Sequence, residues 1–117
     1  MSEVVLKILP SPAWREATAD GVFKGSEVDL NDGFIHFSSP EQIFATAAKH
    51  FRGQHDLVVV AFCAADLGAG LRWEASRGGD LFPHLYGEVR TDLALWIEPA
   101  PLDRDGLPII PERAQSC

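Results

Sequence analysis

The chain has 117 residues, 46% apolar and 23% charged, with a net charge of −7 at pH 7. These values describe one globular domain with its own core and exclude a disordered segment, while the acidic balance opposes non-specific nucleic-acid binding, which draws on attraction to phosphate. The longest apolar run, Leu57 to Ala65, is far shorter than the roughly 20 residues of a membrane-spanning helix, and Met1 to Pro10 lacks the basic start of a secretory signal, so a cytoplasmic protein with no membrane partner is expected.

Glu3 to Leu9 predicts a first strand, closed by Pro10. Ser11-Pro12 then gives a cap-and-proline signature for a short helix with Trp14 packed inward. Asp20-Gly21 turns the chain, and Val22 to Asn31 reads as irregular, anchored by Phe23 and Leu30. The stretch Asp32 to Gln42 carries a turn, the strand Phe34-Ile35-His36-Phe37-Ser38, and a helix start with Ser39 as N-cap and Gln42 completing a capping box. Alternation in that strand sends Phe34, His36 and Ser38 to one face and Ile35 and Phe37 to the other. Ile43, Phe44, Ala47, Ala48 and Phe51 predict a helix face, with Gly53 as its terminator.

Leu57 to Cys63 is a continuous apolar, β-branched run, as expected of a central strand covered on both faces. Leu71 to Ala75 alternates as a half-exposed strand, and residues 76–80 read as a flexible loop. Pro83 restricts Phe82 to Gly87 to an edge strand or an extended loop. A last strand is expected over Asp92 to Glu98. Residues 1–99 thus form a single α+β domain with a mixed, strongly twisted sheet and two short helices, and residues 100–117 an extended, partly disordered tail. Cys63 and Cys117 make neither a disulfide framework nor a metal or redox spacing, and are read as incidental thiols.

No dinucleotide fingerprint, phosphate loop or nucleophile elbow is present, and the four histidines show no zinc-ligand spacing, so no metal is expected. The polar and aromatic groups set in apolar context are His36 and Ser38, then Arg72, Trp73 and Glu74, then His84 and Tyr86. Each, if buried, needs a structural partner or a ligand. The plain alternatives are a core histidine for His36, a loop clamp for His84 and Tyr86, a solvated ion pair for Arg72 and Glu74, and a core tryptophan for Trp73. Against these stand an anion-binding fork on Arg72 and a hydroxyl-holding or cation-stabilising carboxylate on Glu74.

Asp-Gly-Phe-Ile-His-Phe-Ser (32–38), Glu-Gln (41–42), Leu-Arg-Trp-Glu (71–74) and Phe-Pro-His-Leu-Tyr-Gly (82–87) together resemble the bacterial domain-of-unknown-function family 952, over nearly the whole span from Val4 to Pro99. That resemblance implies a small α+β fold similar to the ADP-ribosyltransferase catalytic domain, with NAD as cofactor or substrate. It implies that His36 holds a ribose, Tyr86 or Trp73 stacks on nicotinamide, Arg72 and His84 meet the pyrophosphate, and Glu74 acts on the reacting ribose. His36 and Glu74 are then the catalytic candidates, and Ser38, Arg72, Trp73, His84 and Tyr86 the ligand-binding ones. The partner is a nucleotide-like small molecule. The alternative is a binding module, or a toxin-associated partner, in which the same groups recognise a metabolite or peptide without turnover.

Overall fold

In the computed structural model, which describes residues 3–76, 78–113 and 117, strand β1 (Val4–Pro10) runs directly into helix α1 (Ser11–Asp20). Then follow β2 (Val22–Phe23), α2 (Glu27–Asp32), β3 (Ile35–His36), α3 (Ile43–His50), β4 (Leu57–Cys63), α4 (Ala64–Leu67), β5 (Leu71–Ser76), β6 (Asp80–Leu85), β7 (Val89–Arg90) and β8 (Trp96–Pro99). The strands make two three-stranded antiparallel sheets, ordered β1-β4-β8 and β3-β6-β5, and the small pair β2-β7. The α+β class holds. The single sheet and two helices are corrected to three sheets and, among the described residues, four α-helices.

β4 is the centre of the first sheet, and burial on both faces explains its unbroken apolar run. On one face Val5, Leu9, Val60 and Phe62 pack with Trp14 and Ala17 of α1 and with Ile35 and Phe37. On the other, Val4, Leu6, Ile8, Val59 and Ala61 pack with Ile43 and Ala47 of α3. Removing that much apolar surface from water is the main stabilising term of the domain.

The two large sheets are joined at one point. Just beyond β3, Ser38 exchanges both backbone hydrogen bonds with Leu6, at 2.8 and 2.9 Å. From this bridge β1 and β3 diverge, and the side chains of Lys7 and Asp29 fill the wedge between them.

Several expectations are revised. α2 arises where irregular chain was expected, because Ser26 and Asp29 form a capping box of their own. Ahead of α3 the predicted reciprocal bonds are present, Gln42 N–H to Ser39 Oγ at 3.2 Å and Ser39 N–H to Gln42 Oε1 at 3.0 Å, but they close a turn over residues 40–42, and the helix begins at Ile43 with Gln42, not Ser39, as its N-cap. The helix nevertheless ends at His50, capped by Phe51, with Gly53 in the following turn, and Phe44 points to solvent.

β6 is the middle strand of its sheet despite Pro83. The Pro83 carbonyl accepts from Phe37 N–H at 3.0 Å, and the return bond that a Pro83 N–H would make is missing at the position where the β3 pairing ends, just past His36–His84. The expected loop is a hairpin connection paired at Ser76 and Asp80, with residue 77 outside the described residues. The last strand begins at Trp96 because Thr91–Leu93 forms a 3-10 turn. Of the expected tail, Ala100 is buried, Leu102 bridges to Pro108 and Ile110 packs on the second cluster, while residues 114–116 lie outside the described residues. Cys63 is bonded to Cys117, which corrects the reading of two incidental thiols. The partners lie 54 residues apart, and only the finished fold brings the last residue beside the end of β4.

Candidate functional site

The register of the second sheet places His36, His84 and Arg72 in one row across β3, β6 and β5. Side chains two residues away share that face, so Phe34 and Tyr86 lie to one side of the row and Ser38 and Glu74 to the other. Ile35, Phe37 and Leu85 occupy the opposite face and pack into the core, which anchors the row from behind.

The rings form a cluster. Phe34 stacks on His84 with centroids 4.1 Å apart and planes inclined by 22°, and approaches His36 at 4.6 Å and Tyr86 at 5.3 Å. His36 meets His84 edge-on at 5.5 Å. Glu74 Oε1 receives the Tyr86 hydroxyl at 2.7 Å and lies 2.9 Å from His84 Nδ1. The Arg72 guanidinium sits 5.2 Å from the Tyr86 ring centroid. The Tyr86 hydroxyl and then His84 hold the Glu74 carboxyl below its ordinary value, and the same hydrogen bond to Glu74 raises the Tyr86 phenol. Gly70 makes this packing possible, because a Cβ there would come within 2.9 Å of the Tyr86 carbonyl oxygen.

His36 is held from behind by Asp29, a residue that apolar patterning does not reveal. Asp29 is 1% exposed; its Oδ1 lies 2.7 Å from His36 Nδ1 and accepts from His36 N–H at 3.1 Å, and its Oδ2 accepts from Ser26 N–H at 2.8 Å. Lys7 Nζ approaches Asp29 Oδ2 at 2.8 Å and also donates to the His36 carbonyl at 3.0 Å. Burial alone would raise the Asp29 carboxyl, but the His36 hydrogen bond and the Lys7 charge outweigh it and hold the group well below the usual carboxylate range. Gly25 makes room: it has φ +119°, and a Cβ on it would stand 2.8 Å from Asp29 Cβ. The other ring nitrogen, His36 Nε2, lies 3.0 Å from Asp32 Oδ2.

A groove of about 640 Å³ opens where β1 and β3 diverge, within the range of small-molecule sites. His36 and Ser38 line it together with Lys7, Asp32, Thr46 and Lys49. The structure therefore brings His36, Arg72, Glu74, His84 and Tyr86 together, with His36 shared between ring cluster and groove. Ser38 lies on the same face, but its hydroxyl is tied to Thr46 Oγ1 at 2.8 Å. Trp73 does not join them: it points to the opposite face, is 38% exposed, and lines a separate small depression with Ser39, Pro40 and Glu41.

Residues 8–97 match the family described as "Protein of unknown function (DUF952)". The chain belongs to the DUF952 family. A DUF952 chain from Caulobacter crescentus, protein CC0527, has the same fold. Its crystal structure superposes with a TM-score of 0.87 at 50% identity, covering 90% of this chain and 92% of that one. The solution NMR structure of CC0527 gives a TM-score of 0.81 at 50% identity, covering 90% of each chain. No curated protein matches the chain significantly. Among the described residues there is no group of three or more His, Cys, Asp or Glu placed to hold a metal ion, and no helix is long and apolar enough to cross a membrane.

Proposed function

We propose that this DUF952 chain is a cytoplasmic nucleotide-binding domain related to the ADP-ribosyltransferases, taking an NAD-type ligand in the groove at the sheet divergence. The observation that carries this reading is the position of His36. Its ring is at the lip of a groove of ligand size, locked by a buried carboxylate, and in edge contact with an aromatic cluster. In this reading His36 holds a ribose, Tyr86 and Phe34 offer ring faces, Arg72 meets phosphate by its planar fork, and Glu74 is the carboxylate of the ring cluster that meets oxocarbenium-like charge. His84, which is 5% exposed, orients Glu74 and does not reach ligand itself.

The test is titration of the isotope-labelled protein with NAD and ADP-ribose at millimolar concentration, followed by a nicotinamide-release assay. Amide shifts are expected in residues 34–38 and 72–86, with His36→Ala weakening binding by about fivefold, the size of one hydrogen bond. Absence of any shift refutes the reading.

A second reading, binding without turnover, draws on Glu74. Its Oε1 already carries two hydrogen bonds, and it precedes Tyr86 in the chain, whereas the transferase pattern places the aromatic residue first. Binding with no nicotinamide release selects this version; release that is lost in Glu74→Ala, with the variant still folded, selects the enzyme.

A further inference from the structure

Asp32 is the last residue of α2 and one tight turn away from His36, whose Nε2 it faces at 3.0 Å. Helix energetics do not account for a carboxylate there. The C-terminal end of a helix dipole disfavours negative charge, and the helix is closed by the Gly33 N–H bonding to the Asp29 carbonyl, with no part for the Asp32 side chain. The Asp32 side chain is 47% exposed and lines the groove, and Glu27 lies on the same α2 wall, while Lys49 and His50 stand on the α3 wall. The α2 wall thus carries two carboxylates and the α3 wall the Lys49 ammonium, while Lys7 of β1, also in the lining, is paired with the buried Asp29.

This arrangement selects by chemistry. A phosphate or carboxylate oxygen at Nε2 would have to displace Asp32 and would meet its charge. A hydroxyl carries no charge to be repelled, and it donates to the Asp32 carboxylate while it, or a neighbouring hydroxyl, pairs with His36 Nε2.

We infer that Asp32 is a specificity-determining residue, forming with His36 a two-point site for the hydroxyls of a sugar diol and excluding anionic oxygen from that end of the groove. The inference rests on the nucleotide reading above and adds an orientation to it: sugar hydroxyls against the α2 wall.

The test compares wild type, Asp32→Asn and Asp32→Ala, with folding checked by circular dichroism, in titrations with ribose 5-phosphate, 2-deoxyribose 5-phosphate and inorganic phosphate. ADP-ribose is titrated alongside. Wild type is expected to prefer ribose 5-phosphate over the deoxy sugar by about tenfold or more, the worth of one hydrogen bond to a charged group. Both variants should lose most of that preference and bind inorganic phosphate more tightly. The inference is overturned if wild type treats the two sugars alike, or if both variants keep the preference. ADP-ribose binding in that event leaves the nucleotide reading standing, whereas failure of every sugar phosphate to bind removes both.

Discussion

Two histidine–carboxylate pairs of nearly equal length sit side by side in this protein, and they are built in opposite senses. In the pair at 2.7 Å the carboxylate of Asp29 is 1% exposed and the His36 side chain 20% exposed. In the pair at 2.9 Å the His84 side chain is 6% exposed and that of Glu74 36% exposed. Similar geometry therefore has different energetic meaning. A buried charge must be compensated where it lies, so Asp29 gathers Lys7, His36 and the Ser26 amide around it and becomes part of the scaffold. A carboxylate at the surface is screened by water, so Glu74 contributes little to stability and stays available to a ligand.

The largest effect that would break this contrast is Asp29→Ala. Removing the carboxylate leaves the Lys7 ammonium buried without it, a change that costs about 3–5 kcal/mol, so the thermal midpoint should fall by roughly 10 °C or more. A calorimetric midpoint close to that of wild type would show that the wedge between β1 and β3 is far wetter than its geometry indicates.

Next comes acid. The Asp29 carboxyl is depressed in the folded state from an ordinary value of 3.8, so its contribution to stability is fully present above that value and is lost progressively as pH falls below it toward the folded value. Urea midpoints measured downward from pH 5 should therefore drop for wild type. For Asp29→Asn, lower throughout, the curve should be flatter; parallel curves would mean that other carboxylates govern acid unfolding.

The smallest effect on stability is Tyr86→Phe. It removes one exposed hydrogen bond to Glu74, so the urea midpoint should stay within experimental error while the Glu74 carboxyl rises toward its ordinary value, observable in side-chain carbon shifts. A large loss of stability would place Glu74 in the scaffold alongside Asp29, and the contrast would disappear.

The same contrast explains what the sequence could reveal. The strand from Leu57 to Cys63 was legible because both of its faces are buried, and the Ser39–Gln42 box was legible because it is local, although the helix after it starts only at Ile43. The face shared by Phe34, His36 and Ser38 followed from alternation alone. α2 was hidden because its apolar members, Val28 and Leu30, point to solvent while an aspartate faces inward, the reverse of an amphipathic pattern. Asp29 was missed for that reason, although Ser26 three residues before it is a capping signal that could have found it. Pro83 misled because its effect depends on which neighbour its missing N–H would have faced, and Trp73 because one alternation step moves a side chain from the site face to the other.

The single bridge between Leu6 and Ser38 has a bearing on how the molecule comes into being. The groove beside it is lined by residues from Leu6 to Ser76, and β1 is held in place by β4, from Leu57 to Cys63, as well as by Ser38. Contacts of such sequence separation form late, after the entropy of closing long loops has been met. The pocket therefore requires segments from Leu6 to Ser76 to be assembled, and binding is expected to report on that assembly.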